Sequence, residues 1–222
     1  MKTISKNRQS GFTLIEIAIV LVIIGLLLGG VLKGQEMINS AKVKNIANDF
    51  RQIPVYIYGY QDRFRAIPGD DARVVANISG NLATTPAVST VGNSVINGLW
   101  NSSTNTDESF LFWQHVRLAG LAAGPTNIAD ATYIPRNADG GIMGIQSNVG
   151  FATITAPTAM TGTYIICSDG ILGKFIKQLD ITLDDGETST GSVRAVLQSA
   201  PGTAVLSTAV VDANSYTVCM GV

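Results

Sequence analysis

Histidine occurs once in this chain, at position 115, and cysteine twice, at 167 and 219. No His/Cys cluster with metal-ligand spacing is present, and there is no glycine-rich phosphate loop or nucleophile elbow. His115 lies in a predicted helix beside Trp113, where a lone imidazole reads as structural or surface. The chain is therefore read as a non-enzyme. Charge is scarce too: Asp, Glu, Lys and Arg make up 14% of the 222 residues and the formal net charge is −1. An average soluble protein carries roughly a quarter charged residues. Without a basic excess the chain has no general field for nucleic acid, so nucleic acid is not indicated as a partner.

What is abundant is apolar, at 46% hydrophobic residues, and it is unevenly placed. Residues 1–11, MKTISKNRQSG, contain Lys2, Lys6 and Arg8 and no acid. Phe12 to Leu32 then reads FTLIEIAIVLVIIGLLLGGVL, with Glu16 its single charge. Such a stretch, as a helix rising about 1.5 Å per residue, spans roughly the 30 Å of a bilayer's hydrocarbon core. Positive charge stays cytoplasmic, so the basic leader sits inside and the remainder is exported. An ordinary secretory signal is shorter and is cut at a small-residue site after its apolar stretch. No such site follows here, and the Gly11–Phe12 junction precedes the run, so the apolar segment is expected to survive processing.

Glu16 is the anomaly. A carboxylate within apolar helix costs several kcal/mol and marks a functional site by default. Cleavage after Gly11 creates a positive α-amine on Phe12, four residues earlier. A neighbouring subunit displaced by one helical turn brings its amine level with this carboxylate, and a buried charge pair of that kind specifies register more than it stabilises. A glutamate snorkelling near the membrane surface is the plainer alternative.

The run GFTLIEIAIVLVIIG at 11–25 resembles the cleavage and methylation motif of type IV pilins and type II secretion pseudopilins. The match includes the Gly before the cut, the Phe after it and the Glu five residues beyond the Gly. The resemblance implies processing between Gly11 and Phe12 by a prepilin peptidase and methyltransferase, N-methylation of Phe12, and assembly through Glu16 and Phe12. Its implied partners are copies of itself, other pilins, the inner-membrane pilus or secretion assembly machinery and, before assembly, membrane lipid. The implied location is the bacterial inner membrane as a single-pass precursor, then a pilus at the cell surface or a periplasmic pseudopilus.

Apolar residues recur at Met37, Ala41, Phe50, Ile53, Ile57, Tyr60 and Phe64, a helical period with one buried face. The expected division is a leader over 1–11, a long helix over 12–66 with its transmembrane part at about 12–32, and an exported domain over 67–222. Gly25, Gly29, Gly30 and Gly34 allow close helix approach in lipid, and Gly29–Gly30 could mark a segment that melts on assembly. Pro54 is expected to bend the helix. IPGDD at 67–71 stops it.

The exported domain reads as α+β: the long helix packed on a small antiparallel sheet. A polar loop covers about 77–105. A helix begins at Asp107 with apolar spacing through Phe110, Trp113 and Leu121, and a second runs from about Ile171 to Leu179. Strand-like runs lie at 150–155, 163–167, 192–198 and 216–220. Cys167 and Cys219 fall on two of these strands. They read either as a disulfide, as export favours, or as two small core residues. Asp180, Asp184, Asp185 and Glu187 surround Gly186, where hard oxygen ligands could hold Ca²⁺. The spacing departs from the EF-hand loop, and a helix-to-strand turn accounts for Asp-Asp-Gly equally well. No other cofactor is expected.

The function expected is that of a structural subunit of a type IV pilus-like filament. Two rivals are a minor pilin or pseudopilin that primes or tips the filament, and a membrane-tethered binding protein whose helix is only an anchor.

Overall fold

The computed structural model describes residues 13–222. The fold is α+β, with one long N-terminal helix and a four-stranded antiparallel sheet. The chain divides after Ala41 into two units. Helix α1 (Leu14–Phe64) begins in the first and ends in the second.

Within the first unit the helix is apolar on all faces and its large side chains are exposed, from Leu14 at 89% to Leu32 at 66%. By length and composition this stretch can cross a membrane. Met37 and Ala41 are also exposed, so the buried face begins later than the apolar period suggests.

In the second unit, Val43, Ile46, Ala47, Phe50, Ile53, Ile57 and Tyr60 of α1 are all buried, at intervals of three and four. That spacing places them along one stripe of a 3.6-residue helix. Each fully buried Ile or Phe contributes about 1.5–3 kcal/mol of apolar burial. Pro54 lies inside α1, yet the helix continues through it to Phe64. Ile53 and Ile57 on either side of the proline are fully packed, so tertiary contacts offset the lost backbone donor.

Four antiparallel strands form the main sheet: β1 (Met143–Ser147), β3 (Tyr164–Leu172), β6 (Ser215–Gly221) and β4 (Val193–Leu197), in the order β1-β3-β6-β4. Two short strands, β2 (Ile154–Ala156) and β5 (Gly202–Thr203), pair in parallel apart from it. Strand β1 escapes the sequence reading because Gly144 interrupts its apolar pattern. That glycine is there for packing: a Cβ on it would strike the Trp100 carbonyl oxygen. Strand β3 runs to Leu172, so the helix expected from Ile171 begins later, as α4 (Gly173–Leu183).

Successive residues on a strand face opposite sides, and the sheet separates two cores. Ile166, Val218 and Ile145 join the large cluster with the α1 stripe and with Phe110, Phe112 and Val116. Ile165, Cys167, Val196 and Cys219 join a smaller cluster with Trp100, Ile154 and Met160. Both sheet edges are covered. Along β1, Met143 and Ser147 donate to the carbonyls of Pro135 and Ile96; along β4, Ala195 donates to Thr188 and accepts from Val205. Blocked edges suppress unwanted strand addition.

Helix α2 (Val74–Ile78) and helix α3 (Glu108–Leu118) flank the long connection. Leu121, expected within α3, lies past its end. The connection has little regular structure, as its composition indicates, but it is not all surface: Ala83, Ile96 and Trp100 are buried.

Candidate processing and assembly site

The local sequence Thr13-Leu14-Ile15-Glu16 has the form of a capping box, with an N-cap hydroxyl and an acid three residues on. The structure builds it. Glu16 Oε2 accepts from the Thr13 amide at 2.8 Å and from the Thr13 hydroxyl at 2.7 Å, and the Glu16 amide donates to Thr13 Oγ1 at 3.3 Å. The acid is thus held at the first turn of α1, beside amide groups that have no intrahelical acceptor. Thr13 was not among the expected site residues, although the T-x-x-E pattern was there to be read. Gly11 and Phe12 lie outside the described residues. At the other end of the apolar run, Lys33 and Glu36 form an exposed i,i+3 ion pair at 2.7 Å. Such a pair contributes only a few tenths of a kcal/mol.

The second unit holds its part of α1 by polar ties as well as by the apolar stripe. Lys42 pairs with the buried Asp139 carboxylate at 2.8 Å. Arg51 donates to the Thr182 carbonyl at 2.5 Å and Arg63 to the Ala119 carbonyl at 2.9 Å. Tyr60 packs on Phe64, with centroids 4.6 Å apart, and donates its hydroxyl to Asp71 at 2.8 Å. The aromatic residues at the end of α1 therefore serve packing, with Tyr58 left exposed.

Cys167 and Cys219 are disulfide-bonded across the directly paired strands β3 and β6. The bond staples the last strand into the sheet centre. Asp180, Asp184, Asp185 and Glu187 are not gathered into a ligand set: among the described residues no group of three or more Asp, Glu, His or Cys side chains could hold a metal ion. Each instead fastens backbone. Asp180 Oδ1 accepts from Gly186, Asp184 Oδ2 from Ser192 and Val193, Asp185 from Glu187, and Glu187 from Ser189 and Ser207.

His115 is fully buried. Its Nδ1 accepts from the Gly69 amide at 2.8 Å, and Nε2 lies 2.9 Å from the Asn81 carbonyl, which fixes Nε2 as the protonated nitrogen. Burial pushes its pKa down to about 4. The imidazole is a neutral bracket between two loops.

Residues 6–32 match the family described as the prokaryotic N-terminal methylation motif. The chain carries a type IV pilin or pseudopilin leader. No curated protein and no solved structure is significantly similar to the chain. The matched stretch takes in the basic residues Lys6 and Arg8, the Gly11–Phe12 junction, Glu16 and the apolar run to Leu32. With the apolar helix that follows, it fits a precursor in a bacterial inner membrane. It also fits a structural protein rather than an enzyme. The leader implies prepilin peptidase as a processing enzyme and other pilins as assembly partners.

Proposed function

We propose that the chain is a structural subunit of a type IV pilus-like filament. In this reading prepilin peptidase cuts between Gly11 and Phe12, Phe12 is N-methylated, and the subunit leaves the membrane to pack through its N-terminal helix. The observation that carries the reading is the methylation motif at 6–32, together with a helix from Leu14 onward whose apolar first part is exposed. A helix serving only as an anchor needs no carboxylate near its start; Glu16 sits there at a cost, four residues after Phe12 in sequence. The finished filament stands at the cell surface.

The size of the exported part, 67–222, and its long connection favour a second reading, a minor pilin or a type II secretion pseudopilin that primes or tips a filament. Shearing producing cells and sequencing this chain's N-terminus in filaments and membranes separates the two. Abundant chain starting with N-methylated Phe12 in sheared filaments identifies a major pilin. The same processed end confined to membranes identifies the minor or pseudopilin role. An intact Met1 in both fractions refutes both.

A further inference from the structure

The segment from Val91 to Ser102 belongs to the connection between α2 and α3, and carboxylates hold much of it. From the turn after α1, Asp70 accepts the amides of Gly92 and Asn93 on one oxygen and that of Ser94 on the other, at 2.6 Å for Ser94. From the first turn of α3, Glu108 Oε2 accepts the Asn97 amide at 2.7 Å and its side-chain amide at 3.0 Å. Asp107 takes the Ser102 hydroxyl at 2.6 Å. The two sources are themselves in contact: Gly69 packs so closely on the Glu108 carbonyl that a Cβ there would strike it.

Glu108 is the outlier. It is fully buried, and its second oxygen, Oε1, has no hydrogen-bond partner among the described residues. The charged groups that face it are Asp70 and Asp107, both acidic. Arg65, Arg73 and Asp71 line the cavity of about 500 Å³ that also meets Asp70, Gly92 and Ser94, but among the described residues neither arginine forms an ion pair with a carboxylate. A buried carboxylate without a counter-ion is costly when ionised and inexpensive when protonated, because protonation leaves Oε2 free to accept from Asn97.

We propose that Glu108, Asp70 and Asp107 form a proton-sensitive latch on residues 91–102, closed when Glu108 carries a proton and loosened when it is ionised. Burial, with the two neighbouring carboxylates, pushes the Glu108 pKa up to about 7. The sign follows. An acid whose folded pKa exceeds its unfolded value of 4.5 stabilises the closed form below that value, and the stabilisation is lost as pH rises through 7. The segment anchors Trp100 in the smaller core, where its amide meets Gln146 and its indole N–H meets Thr153. Loosening therefore reaches the side of the sheet that carries the disulfide.

The test is hydrogen exchange on the full chain in detergent micelles, with protection factors corrected for intrinsic rates. Protection of Gly92–Asn97 should fall by about tenfold or more between pH 5 and 7.5, while the amides of β3 and β6 hold. In Glu108→Gln the dependence should vanish at Asn97, which Glu108 holds, and shrink at Gly92–Ser94, where Asp70, itself raised by burial, still titrates. If Glu108→Gln does not fold, carbon-13 titration of the Glu108 carboxyl in the unaltered chain decides, with a midpoint near 7 expected. Protection of 92–97 that is flat in pH in the unaltered chain, or a Glu108 midpoint near 4.5, overturns the latch.

Discussion

The Glu16 carboxylate is turned back onto Thr13, receiving both its amide and its hydroxyl through one oxygen, Oε2. The acid on which assembly is proposed to depend thus has a partner within its own chain before a neighbour's amine arrives. That partner satisfies an amide that the helix leaves unpaired and holds the side chain in one orientation. Thr13 on this view is a positioning residue.

Two substitutions follow from the pair. Glu16→Ala should leave the chain inserted in the membrane and abolish its recovery in sheared filaments. Thr13→Val removes the hydroxyl, and with it an N-cap contribution of about 1 kcal/mol, and should reduce filament yield several-fold without altering membrane levels. Immunoblots of sheared and membrane fractions measure both. Normal filament yield in Glu16→Ala would mean that assembly does not run through Glu16.

The disulfide closes a 52-residue separation between Cys167 and Cys219. Chain entropy alone makes such a closure worth about 4 kcal/mol. The double substitution Cys167→Ser, Cys219→Ser also buries two hydroxyls in the smaller core, so a loss of at least that size is expected in thermal or denaturant unfolding of the second unit. Paired Cys→Ala substitutions should recover part of it. Unchanged unfolding on reduction would show that the strands β3 and β6 need no staple.

How much of this was legible beforehand depends on how local the signal is. The Gly11–Phe12 junction, Glu16 and the apolar run are written in consecutive residues, and the period of Phe50, Ile53, Ile57 and Tyr60 reports its buried stripe directly. Strand β1 was not legible, since its five residues owe their conformation to pairing with β3, whose partner residues lie well beyond its local sequence. The burial of Ile96 and Trp100 was hidden within a polar stretch for the same reason. The roles of Asp70 and Glu108 were invisible because their partners come from a distant loop. IPGDD and TDESF read as a helix stop and a helix start, which they also are.

Asp180 is buried, with Oδ1 on the Gly186 amide at 2.7 Å and Oδ2 without a partner. Burial, with Asp185, Asp184 and Glu187 nearby, pushes its pKa up to about 6. The folded value lies above the ordinary 3.8, so stability is present below that pH and lost as pH rises through 6. Asp180→Asn keeps the acceptor for Gly186 and carries no charge. It should be more stable than the unaltered chain above pH 6 by about 2–3 kcal/mol, and little different near pH 3.5. Millimolar calcium should leave the melting temperature of both unchanged, because the surrounding carboxylates are already committed to backbone amides. A calcium-dependent rise that Asp180→Asn abolishes would instead make this turn a cation site.

His115 runs the other way in pH. As a neutral ring it accepts from Gly69 through Nδ1 and meets Asn81 through Nε2; protonation would set an N–H against the Gly69 N–H. Its folded pKa of about 4 lies below the ordinary 6.5, so the stability it contributes is complete above 6.5 and is lost as pH falls through 4. The raised acids Glu108 and Asp180 shift stability in the opposite direction at higher pH, so the absolute pH profile mixes the effects. The difference between the unaltered chain and His115→Gln removes the shared contributions. Losing two buried hydrogen bonds should cost the variant about 2–3 kcal/mol at pH 7, and the gap should narrow by about 2 kcal/mol as pH falls to 4. A gap constant from pH 7 to pH 4 in paired thermal melts would mean that His115 holds its place by shape alone.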